Sequence, residues 1–408
     1  IVLFYRLFLP VSLKGVGLLF GFLCGSLYGQ QQWSTTNCPQ SRKEAHLWYF
    51  GEKAGISFLS GSAAPLTDQN VMSAIKATSA ICDRMGNFLF FTNGDKVWDR
   101  TFTLMPNATD LMGDLGATQP CIIVPWPEDS SLYYIFTVDI LKFSDHVNFT
   151  TNGLTVTIID LKKRGGLGDA QSEVLNKPLL SPVTQKITAV KHRNGKDYWV
   201  IAHKWNSTEF YAWHISKYGM APPVVSAAGS FHGGDKTEAN NALGYLKASP
   251  DGKRLALAIT QSKTIELLDF DSETGTVSHP ETFTADFTGI NPYGIEFSPD
   301  SRLLYATALE ITGTGKPTYP SRILQFDTRN GLSAPIVVDS VSGMRIAGIQ
   351  LAPDGRIYLS RTINIFPNNL RDSLEVIYNP DRPGTACNFN HIDGSDGMLF
   401  PLLGRKSV

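Results

Sequence analysis

Four histidines fall close together in the middle of the chain: His192, His203, His214 and His232. Imidazole suits zinc, but a metal centre also needs converging ligands and a second shell that orients them. Nothing in the spacing brings the four together, so each is expected to be structural or superficial, and neither metal nor cofactor is expected. Asp251, Asp300 and Asp354 form a repeated carboxylate set. No Asp-x-Asp-x-Asp-Gly loop surrounds them, so turn chemistry, in which the carboxylate bonds its own backbone, is expected over calcium. There is no Gly-x-Ser-x-Gly and no His-Glu-x-x-His, and Gly165-Gly166-Leu167-Gly168 lacks the lysine of a phosphate loop. No catalytic residue is therefore assigned, and the chain reads as a protein that is not an enzyme. What remains is aromatic. Trp98, Trp126 and Trp205 lie near strand or loop ends, the last beside His203 and Lys204. Rings with polar neighbours suit sugar stacking or protein contact, so these five residues are the candidate ligand contacts.

The elements that must position them are short strands. Gly244–Ala248, the turn Ser249-Pro250-Asp251-Gly252 and the apolar run Arg254–Ile259 form a hairpin, and Thr264–Phe270 follows as a third strand. Pro presets φ, Asp bonds locally, and Gly accepts positive φ, so Gly252 and Gly355 are expected there. The phrase returns as Tyr293–Ser301 followed by Arg302–Ala306, and as Ala347–Gly355 followed by Arg356–Ser360. The aspartates of the three turns stand 49 and 54 residues apart, the size of one propeller blade. Similar units begin near residues 77, 119 and 187, where Asn93-Gly94 and Asn194-Gly195 mark further hairpins. Six units start near residues 77, 119, 187, 243, 292 and 346, and the aromatic strands from His46 to Phe58 are left over.

The expected fold is all-β, a propeller of four-stranded antiparallel blades. Seven blades are expected, with six as the alternative, and N- and C-terminal strands close the ring because closure removes exposed edges. Leu47–Phe50 is expected to pair with strands after Ala386. Cys38 and Cys387 would then share the seam, where a disulfide between them would clamp it. Cys82 and Cys121 read equally as bridge or buried thiols.

Lys plus Arg is 36 and Asp plus Glu is 37, so no basic stripe for nucleic acid is expected. Residues 1–29 read as a signal peptide: Arg6 and Lys14 precede the apolar run Gly15–Leu23. That run is short for a membrane span, so no stable span is expected after cleavage. Residues 30–45 are a lead, 46–400 the propeller and 401–408 a tail.

Several long phrases, among them WYFGEKAGISF, GNFLFFTNGDKVWDR and ITAVKHRNGKDYWVIAHKWNSTEFYAW, resemble the N-terminal propeller of large surface proteins of the Bacteroidetes. Those proteins carry PKD-like repeats and a type B sorting domain linked to gliding motility and type IX secretion. The resemblance implies a secreted or cell-surface protein and no catalytic residues. The function read from the sequence is a binding or adhesion module for an extracellular glycan or protein. The alternative is a lactonase-like propeller hydrolase with a metal in the central channel.

Overall fold

The structure is a computed structural model that describes residues 43–390, apart from 69, 75, 285–286, 312–315 and 363–373. Among the described residues, seven antiparallel sheets of three or more strands follow one another along the chain, and a two-stranded ribbon, Lys142–Phe143 with Phe149–Thr150, stands apart. Blade 1 is Leu47–Phe50, Ala54–Ser57 and Ala64–Pro65, and blade 2 is Ser79–Cys82, Phe88–Thr92 and Val97–Asp99. Blade 3 is Cys121–Pro125, Leu132–Val138 and Leu154–Asp160, with two short strands on its outer side. Blade 4 is Val183–Lys191, Tyr198–Lys204, Ser207–Ser216 and the outer strand Val224–His232. Blade 5 runs Leu246–Ala248, Arg254–Ile259, Thr264–Asp271 and Thr276–Thr284. Blade 6 runs Asn291–Phe297, Leu303–Leu309, Ser321–Asp327 and Ile336–Val341. Blade 7 runs Arg345–Leu351, Ile357–Thr362, Glu375–Ile377 and Phe389–Asn390. The six units counted from sequence are thus blades 2 to 7.

The core is divided among the gaps between blades. Among the described residues, seven apolar clusters form, one for each pair of neighbours around the ring. Apolar runs such as Leu255–Ile259, buried throughout, arise because both faces of a blade meet another sheet. The last gap lies between blade 7 and blade 1. There Ile56 and Phe58 pack against Ala352, Tyr358 and Val376, so N- and C-terminal blades meet at the closing seam. The described partner of Leu47–Phe50 is Ala54–Ser57, and Phe389–Asn390, the described strand after Ala386, pairs with Glu375–Ile377 instead; partners beyond Asn390 lie outside the described residues. Cys387 is a buried free thiol, as are Cys82 and Cys121. Cys38, the expected partner of Cys387, lies outside the described residues, as do the signal-peptide reading and the tail.

The repeated turns form as the sequence dictates. Gly252 and Gly355 sit at φ +71° and +77°. Asp251 accepts from the Ser249 hydroxyl at 2.6 Å and Asp300 from the Ser298 hydroxyl at 2.6 Å. Asp354 accepts from Tyr358 at 2.7 Å and from the backbone N–H of Arg356. The three carboxylates are occupied by their own turns. Among the described residues no helix is long and apolar enough to cross a membrane.

Candidate functional site

The four histidines separate into two pairs at opposite ends of blade 4. The rings of His192 and His214 lie 4.8 Å apart beside Trp199, and Asp197 faces His214 Nε2 at 3.1 Å. His203 and His232 stack at 3.7 Å in the interior. Among the described residues no group of three or more His, Cys, Asp or Glu side chains has the geometry to hold a metal ion.

Three of the five candidate contacts are buried. His203 is fully buried and Trp205 is 1% exposed, so neither reaches a ligand at the surface. Trp98 packs against Phe91 in the core between blades 1 and 2. Lys204 reaches solvent and pairs with Glu209 at 2.8 Å. Trp126 lines a cleft.

That cleft, about 250 Å³, is walled by the turns joining the first and second strands of blades 2, 3 and 4. Asp83 and Arg84 come from the first turn, Trp126 to Ser130 from the second, and Lys196 from the third. Tyr133 and Tyr198, which start the following strands, supply further aromatic surface. Trp126 is a fixed platform. Its ring stacks on Tyr134 with centroids 5.0 Å apart and planes at 10°, and its indole N–H donates to the Lys217 carbonyl at 3.2 Å. Glu128 holds φ +66°, a conformation that costs an ordinary side chain energy. Its carboxylate lies between Lys196 at 3.4 Å and Lys217 at 3.5 Å. The Glu128 carboxylate and the Tyr218 ring together raise the Lys217 ammonium above its usual range. Hydrogen bonds from Ser131 hold the Asp129 carboxyl below its own. The cleft therefore offers one rigid ring among charges of both signs.

A second polar group, not singled out from the sequence, joins the first strands of three blades. Lys247 of blade 5 donates to Glu296 of blade 6 at 3.0 Å and to Gln350 of blade 7. Glu296 also accepts the Leu351 N–H at 3.0 Å. Lys247 is 6% and Glu296 1% exposed, so this is a buried pair with its hydrogen bonds met. The signal was present. All three residues stand at one position of the repeated phrase, two before Ser249, Ser298 and Ala352. Nearby, Lys76 approaches the Tyr293 hydroxyl at 3.3 Å, and Tyr245 lies against Tyr293.

Fold and site together define a seven-bladed β-propeller with a mixed-charge cleft on one face of the ring. No family model and no curated protein sequence matches the chain. Solved structures do resemble it. A protein from Lactobacillus plantarum shares 12% identity at a TM-score of 0.46, over 85% of this chain and 93% of that one. The Myceliophteria thermophila Cps50 (Swd1) β-propeller domain shares 11% at 0.45, over 79% and 95%. A Pseudomonas aeruginosa periplasmic gluconolactonase shares 10% at 0.44, over 80% and 86%. Likeness at this level concerns the fold alone. The expectation that the chain is not an enzyme is withdrawn, because it rested on missing sequence signatures alone. Propellers build their sites from scattered loop and strand residues, which no short motif reports.

Proposed function

We propose that this propeller binds a small polar ligand, a saccharide, in the cleft beneath Trp126, and that it does so outside the cell. The observation that carries the reading is the Trp126 platform. An indole backed by Tyr134 and pinned by its N–H loses little freedom when a ligand stacks on it. A sugar ring presents an apolar C–H face to such a platform and hydroxyls to its surroundings. Asp129, Ser130, Arg84 and Lys196 line the same cleft and supply acceptors and donors for those hydroxyls. Export is supported by the basic residues and apolar run within residues 1–29. A place among gliding-associated surface proteins is supported by the sequence phrases alone.

The test is a glycan array on the purified propeller, followed by calorimetry on the best ligand. Trp126→Ala is expected to weaken binding at least tenfold, while Tyr218→Ala, an exposed ring outside the cleft lining, leaves it unchanged. Unaltered affinity in Trp126→Ala, or no saccharide retained at all, would overturn the proposal. The retained sugars and their lactones are followed for turnover in the same samples, and release of product would make the cleft a catalytic one.

A further inference from the structure

The second histidine pair belongs to a buried polar cluster between blades 4 and 5. His203 and His232 stack at 3.7 Å with planes at 23°, and Phe210 meets His203 edge-on at 4.6 Å. Glu266, on the third strand of blade 5, places Oε2 at 3.9 Å from His232 Nε2. Its other oxygen accepts both the N–H and the hydroxyl of Ser230, each at 2.6 Å. Gly229 makes room for the carboxylate: a Cβ there would stand 2.8 Å from Oε2. Lys186, from the first strand of blade 4, donates to the carbonyls of Asn241, Ala242 and Leu243 at 3.0, 3.0 and 2.7 Å. Those three acceptors match the three hydrogens of an ammonium. Lys186, His203, His232 and Glu266 are each fully buried. Both ring nitrogens of His232, Nε2 of His203 and Oε2 of Glu266 find no hydrogen-bond partner among the described residues.

We propose that His203, His232 and Glu266 form an acid-operated latch, which holds the outer strand of blade 4 against blade 5 at neutral pH and releases it when the cluster takes up a proton. The argument is one of charge. Lys186 and Glu266 carry opposite charges, and the two stacked imidazoles add none while they are neutral. One added proton on either ring leaves a net positive charge buried away from solvent. The next charged groups along the chain do not compensate it, because Lys204 is paired with Glu209 and Asp235 with His146. The element that gives way is Val224–His232. It is an outer strand, with Phe231 56% and Val225 47% exposed. Besides Glu266, it is tied to blade 5 by the bond from Val277 N–H to the Ser226 hydroxyl.

The direction in pH follows. Burial, then the neighbouring ring and Lys186, hold His203 well below the ordinary histidine range; burial and Lys186 do the same to His232. The unfolded chain binds protons at both positions below about pH 6.5, the ordinary histidine value. Stability from the pair is therefore complete above that pH and is lost as pH falls below it. Burial pushes Glu266 upward, which works in the opposite sense, and pulls Lys186 well below its ordinary range, which works with the histidines.

Hydrogen exchange of residues 224–232, corrected for intrinsic rates, tests the latch. Protection is expected to fall at least tenfold between pH 7 and pH 5, while that of Leu303–Leu309 in blade 6 stays level. In the double variant His203→Gln, His232→Gln the fall is expected to vanish. Equal protection at both pH values in the wild type, or the same fall in the double variant, would overturn the proposal. Should the double variant not fold, ring proton resonances of the wild type decide. Both rings are expected to keep neutral-form shifts until the strand opens. Titration of either ring near pH 6.5 with strand protection unchanged would overturn the latch equally.

Discussion

Single residues show where the repeat is under tension. The three Pro-Asp turns demand a left-handed residue at their fourth position, and two supply glycine. The third supplies Ser301, at φ +63°. An L-residue in that conformation costs about 1–2 kcal/mol. Ser301 recovers part of this, because its hydroxyl accepts the Asp251 N–H at 3.0 Å and so ties the blade 6 turn to the blade 5 turn. That exposed bond is worth about 0.5–1 kcal/mol. Ser301→Gly is expected to raise stability by about 0.5 kcal/mol, and denaturant titration with an unchanged slope measures it. Gly355→Ala is the mirror experiment. A Cβ at Gly355 has nothing within 4 Å, so any loss comes from the backbone alone, about 1–2 kcal/mol. Turn chemistry of this kind was legible because it is local. The histidine cluster was not, since Lys186, His203, His232 and Glu266 come from two blades and share no spacing.

At the scale of the element, the repeated phrase does two things at once. Its Pro-Asp turn closes each hairpin, and its polar residue two places earlier meets its counterparts in neighbouring blades. The hairpins could be read from the phrase because period-two patterning and turn residues both sit within ten residues. The convergence of Lys247, Glu296 and Gln350 could be read only once the copies were known to stand side by side. The burial of Trp98 and Trp205 was not legible for a related reason: a strand end looks the same in sequence whether solvent or protein covers it. The buried pair carries a prediction. Glu296→Gln leaves the Lys247 ammonium with no carboxylate in a site closed to water, and is expected to cost about 3–5 kcal/mol. Lys247→Met combined with Glu296→Leu removes both charges and is expected to recover most of that loss. Thermal denaturation of the four proteins completes the cycle, and equal losses in the single and double variants would show that the pair is not coupled.

At the scale of the whole molecule, closure of the ring distinguishes one interface from the other six. Six of the seven gaps join blades that are consecutive in the chain, so separation there is limited by a connecting segment. The gap between blades 7 and 1 joins the two ends of the described chain, and an apolar cluster spans it. The packing is aromatic. Trp48 and Phe58 meet edge-on with centroids 4.8 Å apart, and Tyr358 stands 5.7 Å from Phe58 and 6.0 Å from Trp48. Such pairs add about 0.5–1.5 kcal/mol each beyond the area they bury. Phe58→Ala removes the central ring of the three from a site 1% exposed, and is expected to cost about 3–5 kcal/mol. The loss should be uneven. With no chain link across the seam among the described residues, exchange protection is expected to fall first in Leu47–Phe50 and Ile357–Thr362, while Arg254–Ile259 on the far side of the ring keeps its protection. Ile295→Ala, between blades 5 and 6, serves as the comparison, because there the chain itself limits separation. Uniform loss of protection around the ring in Phe58→Ala would mean that the seam is no weaker than the other gaps.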